Sequence, residues 1–107
     1  SIIRAIMPGG SITGAPKIRA MQIIEQLEPT RRGLYCGAIG ALSTSSQNPA
    51  ATLNIAIRTI QLLGNTAHLH AGSGIVADSN PEEEFLECQH KAAPLLRALN
   101  APLTSVS

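Results

Sequence analysis

Apolar and polar residues recur along this chain with two different periods, and the change of period divides it into helix, strands and helix. Residues 1–7, SIIRAIM, predict the last turns of a helix that Pro8-Gly9-Gly10 stops. A small polar run, SITGAPK, leads into RAMQIIEQLE. Pro16 suits the first turn of that helix, where its missing N–H has no partner to lose. At 100° per residue, Ala20, Met21, Ile23, Ile24 and Leu27 share one broad face, and Arg19, Gln22, Glu25 and Gln26 the other. Lys17 projects from the apolar side, either snorkelling or reaching toward an anion. Pro29 and Arg31-Arg32-Gly33 end the helix. Residues 34–43 are small and apolar and predict a strand whose backbone is closely approached, given Gly37 and Gly40. After a polar loop at 44–49, residues 51–63 alternate as a second strand, with Leu53, Ile55 and Ile57 on one side and Asn54, Ala56 and Arg58 on the other. Gly64-Asn65 is a turn signal, residues 66–76 the returning strand, and residues 78–81 a further turn. Residues 82–99 predict a long helix kinked at Pro94, its buried arc formed by Phe85, Cys88, Ala92, Leu95, Leu96 and Leu99. Three strands joined by short links favour an antiparallel sheet, so the predicted class is α+β: helix, three antiparallel strands, helix.

Composition narrows the picture. The chain has 107 residues, enough for a modest core, with 44% hydrophobic and 14% charged residues. Tyr35 and Phe85 are its only aromatics, so Ile, Leu, Ala and Met must build the interior. A net charge of +1 argues against a nucleic-acid surface, and no apolar run approaches membrane-spanning length. Cys36 and Cys88, with no secretory pattern, are expected to be free thiols in a reducing, cytoplasmic compartment. The opening SIIRAIMPGG, lacking an initiator methionine and set inside an apolar helical turn, predicts a segment of a longer protein.

The strongest chemical signal lies in residues 81–91, PEEEFLECQHK, where Glu82, Glu83, Glu84 and Glu87 place four of the seven acidic residues within six positions. Glu82 and Glu83 are explained as first-turn acids favoured by the helix dipole. Glu84, Glu87 and Lys91 are spaced i, i+3, i+7 and fall along the edge of the apolar arc. Two carboxylates one turn apart can grip a divalent cation, and the lysine can hold an anion beside it. The plainer alternative is a solvated face with a Glu87–Lys91 ion pair. Gly72-Ser73-Gly74 either lets backbone N–H groups approach a carboxylate or phosphate, or is a bulge. Arg58, inside a predicted strand, calls for a carboxylate partner; the plainer alternative is an internal salt bridge or an edge-strand face in water, but few acids are spare to pair with it. PGGSITGAPK is not a Walker loop, because Ala15-Pro16 separate its glycine from Lys17; an anion nest at a helix start is the other reading. His68 and His70 alternate on one strand without a third ligand and are read as structural or exposed, and His90 as solvated. No Ser-His-Asp set, zinc spacing or dinucleotide fingerprint occurs.

The strings PGGSITGAPKIRAMQIIEQLEPTRRGLYCGAIGALS, NIAIRTI and HAGSGIVADSNPEEEFLECQHKA, in this order, resemble the C-terminal part of the chorismate-utilising enzymes. That family includes component I of aminodeoxychorismate synthase and of anthranilate synthase, isochorismate synthase and salicylate synthase. The form GSITGAPK is more similar to the aminodeoxychorismate synthases. The resemblance implies that residues 1–107 are the C-terminal portion of a chorismate-binding catalytic domain built from two interleaved α/β halves. It implies Mg2+ held by Glu84 and Glu87. Gly72, Ser73 and Gly74 would receive the ring carboxylate of chorismate with Lys91 nearby, Tyr35 and Arg58 the enolpyruvyl carboxylate, and Ser11 would lie near bound ligand. Lys17 matches a motif residue to which no role is assigned. The implied activity is Mg2+-assisted conversion of chorismate to 4-amino-4-deoxychorismate, for folate synthesis, with ammonia from a glutamine amidotransferase partner. The PIKGT-like lysine that attacks first in those enzymes is absent from this chain, as are the upstream metal-binding glutamates. The segment alone is therefore expected to lack turnover and to expose an apolar face. Two further readings stand beside this one: an anthranilate synthase component I, and a non-catalytic assembly module whose acidic helix face docks a basic partner.

Overall fold

The computed structural model describes residues 2–100 and divides the chain into two compact units, Ser1–Ala56 and Ile57–Ser107. The class is α+β. The strands differ from the expected antiparallel three: among the described residues there are four, arranged as two two-stranded antiparallel sheets, one in each unit.

The first unit contains α1 (Ile2–Ile6), α2 (Gly10–Thr13), α3 (Lys17–Leu27), β1 (Ala38–Ser43) and β2 (Ala50–Ile55). Pro8 follows the end of α1, whose last carbonyls would otherwise be left without donors. Lys17 Nζ supplies them, donating to Ala5 O at 3.4 Å and Met7 O at 3.5 Å. Lys17 thus reaches backbone carbonyls at the end of α1. Residues 10–13 close one short turn not foreseen from the sequence, with Gly14 N–H donating to Gly10 O at 2.7 Å. β1 and β2 pair from Ala38↔Ile55 to Ser43↔Ala50. Below the ladder, Cys36 N–H donates to Ala56 O and Ala56 N–H to Gly37 O. Two residues thus oppose one, and Cys36 has a positive φ of 66°, which together make a β-bulge of the type that usually places glycine at this position. Among its described residues Cys36 and Ala56 are the buried ones, so the small interior of this unit sits at the bulge.

The second unit contains β3 (Ile60–Leu63), β4 (Thr66–Leu69) and α4 (Pro81–Ala98). Gly64, with φ +57°, opens the two-residue hairpin loop between Leu63 and its partner Thr66. The long strand expected over 51–63 is interrupted, because β2 ends at Ile55 and Arg58 has a left-handed φ of 50°. The returning strand also stops early, at Leu69; residues 70–76 follow as irregular chain. α4 starts at Pro81 behind an Asn80 cap, whose Oδ1 accepts the N–H groups of Glu82 at 2.9 Å and Glu83 at 3.3 Å. It continues as helix through Pro94 and ends where Asn100 takes a left-handed φ of 52°. Of its expected apolar arc only Ala92 is buried; Phe85 remains 49% exposed. No helix among the described residues is long and apolar enough to cross a membrane.

Candidate functional site

The first three turns of α4 and the irregular segment before it carry six of the expected site residues, all within the second unit. Helical periodicity sets Glu84, Glu87 and Lys91 on one side, and Asn80 fixes where that period starts. Lys91 Nζ bridges two of them: it lies 2.5 Å from Glu87 Oε1 and donates to Gly72 O at 3.3 Å. The ion pair of the plainer reading is therefore present, and the same ammonium also ties the glycine turn to the helix. Ser73 Oγ accepts a hydrogen bond from the Cys88 thiol at 3.7 Å, a second tie between the same segments. Gly74 borders open space, since a Cβ built there would meet nothing within 4 Å. The glycine turn is neither in a strand nor a bulge, because the β4 ladder has already ended.

Glu84 is the least ordinary group of this set. It is half-buried, and its Oε2 has no exposed surface and no hydrogen-bond partner among the described residues. Hydrogen bonding from the Ser73 and Ser79 hydroxyls holds its carboxyl below the ordinary value of 4.5; the Lys91 charge adds to this and burial opposes it. An ionised carboxylate with one oxygen left over in a dry position fits a metal ligand. Mg2+ commonly takes one or two carboxylates and completes its shell with water and a substrate anion, and Glu84 and Glu87 are carboxylates of the kind it takes. No group of three or more potential ligands occurs among the described residues.

Arg58 is exposed and makes no hydrogen bond or ion pair with a described residue. It lies in the connection between β2 and β3 rather than in a strand, which corrects its expected setting. Ser11 and Tyr35 belong to the first unit. Ser11 is exposed on α2, a helical turn where a loop was expected. Tyr35 lies in the turn before the bulge, its ring centroid 5.7 Å from the Arg32 guanidinium carbon. Arg32 is held in turn by Glu28 through contacts of 2.6 and 2.8 Å, which raise its already high pKa. Sequence reasoning missed Ser79 and Cys88. Cys88 stands one helical turn beyond Glu84, a spacing that could have drawn notice, whereas the approach of Ser79 depends on a loop conformation that no periodicity encodes.

Residues 1–97 match the family model for chorismate binding enzyme. The chain belongs to this family. It is 52% identical over 98 residues to aminodeoxychorismate synthase component 1 of Bacillus subtilis, covering 92% of this chain and 20% of that protein. It is 51% identical over 98 residues to aminodeoxychorismate synthase of Streptomyces griseus, covering 92% and 13%. With anthranilate synthase component 1 of Acetivibrio thermocellus it shares 50% over 97 residues, covering 91% and 19%. The chain thus spans about a fifth or less of the length of these relatives.

Proposed function

We propose that this chain carries part of the chorismate site of a Mg2+-dependent enzyme that makes 4-amino-4-deoxychorismate, using ammonia from a glutamine amidotransferase. The observation that carries the reading is Glu84 Oε2, dry and unpartnered on an ionised carboxylate one turn from Glu87. Glu84 and Glu87 would hold the Mg2+, which when bound withdraws charge from the ring carboxylate and eases departure of the C4 hydroxyl. Lys91 sits between Glu87 and Gly72 and brings positive charge to the glycine turn where that carboxylate docks. Gly74, bordered by open space, lets the ligand approach the backbone closely. Arg58 offers an uncommitted, planar fork of donors suited to a second carboxylate. Ser11 and Tyr35 are the ligand-contacting residues proposed for the first unit. The chain by itself has no PIKGT-like lysine and does not turn chorismate over. The whole enzyme works in the cytoplasm.

Calorimetric titration of chorismate, with and without Mg2+, into the chain extended at its N-terminus to the length of its relatives tests this. Glu84→Gln and Glu87→Gln should each abolish the Mg2+-dependent part of binding. Unchanged binding in both variants would remove the reading. A second reading, anthranilate formation, is favoured by the relatives of that name at about the same identity. The product released from chorismate and ammonia, 4-amino-4-deoxychorismate or anthranilate, separates the two.

A further inference from the structure

Between the end of α3 and the β-bulge, the backbone around Tyr35 is fixed from both sides. Gly33, with φ +57°, lets the chain reverse, and Tyr35 N–H donates to Arg32 O at 3.0 Å across that turn. Beyond it, Gly37 N–H donates to Leu34 O at 2.9 Å and Cys36 N–H to Ala56 O at 3.0 Å. What the backbone leaves to be set is the rotamer of the Tyr35 side chain. The Arg32 guanidinium lies over that ring, its carbon 5.7 Å from the centroid.

Glu28 decides how the guanidinium is presented. Its Oε1 accepts from Arg32 Nη2 at 2.6 Å and its Oε2 from Arg32 Nε at 2.8 Å, a bidentate pairing in the guanidinium plane. That edge of the fork is consumed, and the flat face is left for the ring. The neighbouring Arg31–Glu25 pair is a loose contact by comparison: 3.8 Å, with side chains 94% and 76% exposed, against 23% and 36% for Arg32 and Glu28. A pair serving only to close α3 would donate to the last helical carbonyls. Among the described residues, the hydrogen bonds of the Arg32 side chain go to Glu28 instead. Glu28, Arg32 and Tyr35 line one cavity of about 920 Å³ within the first unit, so the ring is held beside open space.

We propose that Glu28 and Arg32 are positioning residues for Tyr35: the carboxylate holds the guanidinium, and the guanidinium holds the ring in the rotamer that presents its hydroxyl to a carboxylate of chorismate. This rests on the ligand-contacting reading of Tyr35 above. Neither Glu28 nor Arg32 touches the ligand, because each already answers the other's charge.

The test is a double-mutant cycle read by titrating chorismate into the full-length enzyme with Mg2+ present. Tyr35→Phe keeps the ring and removes the hydroxyl, and should weaken chorismate binding about 10–100-fold, the scale of a hydrogen bond to a charged group. Arg32→Lys keeps the charge but cannot grip two carboxylate oxygens and cover a ring at once; it should weaken binding about 3–30-fold, the scale of one cation–π contact. Glu28→Gln, which leaves Arg32 in place, should act in the same direction and carries the same comparison where Arg32→Lys does not fold. In the Tyr35→Phe background neither substitution should weaken binding further, since no hydroxyl is left to position. A merely structural role would lower the melting temperature and shift affinity equally in both backgrounds, and equal losses overturn the proposal. So does wild-type affinity in Arg32→Lys and Glu28→Gln when Tyr35→Phe has lost it, a result that leaves the ligand-contacting reading of Tyr35 standing. Wild-type affinity in Tyr35→Phe itself overturns that reading and the positioning roles with it.

Discussion

Glu84 and Glu87 have the same side chain, lie one turn apart on one helix, and meet different surroundings. Glu87 is half exposed and paired with Lys91. Glu84 has two serine hydroxyls and a dry oxygen. Its folded-state pKa is lowered, so the unfolded chain binds its proton more readily. Its contribution to stability is therefore full above the ordinary value of 4.5 and disappears as pH falls through the lower, folded value. A carboxyl-carbon NMR titration should place the Glu84 midpoint below 4.5 and move it upward in Ser79→Ala; a wild-type midpoint at or above 4.5 would show that the hydroxyls do not act on it. Lys17, on the apolar side of its helix, places its ammonium against the carbonyls at the end of a neighbouring helix.

Among the elements, the β1–β2 hairpin depends most on one residue. A Cβ at Gly40 would stand 2.0 Å from Thr52 O and 2.8 Å from a Leu53 side-chain carbon, so the backbone itself must move to admit one. Gly40→Ala should therefore destabilise the first unit by about 1–3 kcal/mol, the usual cost of overpacking. Gly10→Ala, with nothing within 4 Å of the new methyl, should not. Chemical denaturation of the two variants, with hydrogen exchange of the amides in β1, checks the contrast; equal stability would mean that the close approach has no energetic consequence. The sequence foretold this close approach because glycine inside a strand pattern has few other uses. The break at Arg58 went unread although the apolar alternation changes phase there, from Leu53, Ile55 and Ile57 to Ile60 and Leu62, and the left-handed backbone angle marks the interruption.

For the chain as a whole, the balance of buried and exposed apolar groups is unusual. Cys36, Ala56 and Ala92 are the buried apolar residues among those described, while Ile2, Ile18, Leu27 and Ile75 are each more than 70% exposed. All three buried residues are small, which leaves little interior to offset chain entropy. Exposed side chains of this size and number are expected to find cover in another surface. The 107-residue chain alone should bind a hydrophobic dye and associate with rising concentration in sedimentation experiments. Extension to the length of its relatives should suppress both; a monodisperse, dye-silent 107-residue chain would contradict this account.

Local chemistry determined much that could be read directly. Proline and glycine marked where α1 ends, where α3 and α4 begin and where the β3–β4 hairpin turns, because these residues restrict or release the backbone regardless of context. The i, i+3, i+7 spacing of Glu84, Glu87 and Lys91 by itself puts them on one side of a helix, and the motif strings are enough to indicate the family. The tertiary structure decided which strands pair, how little of the α4 apolar arc is covered, and which of two similar glutamates keeps a bare oxygen. Those outcomes depend on contacts between residues distant in sequence, such as Lys91 with Gly72 and Cys88 with Ser73, whose free energy is fixed only once the chain has brought them together.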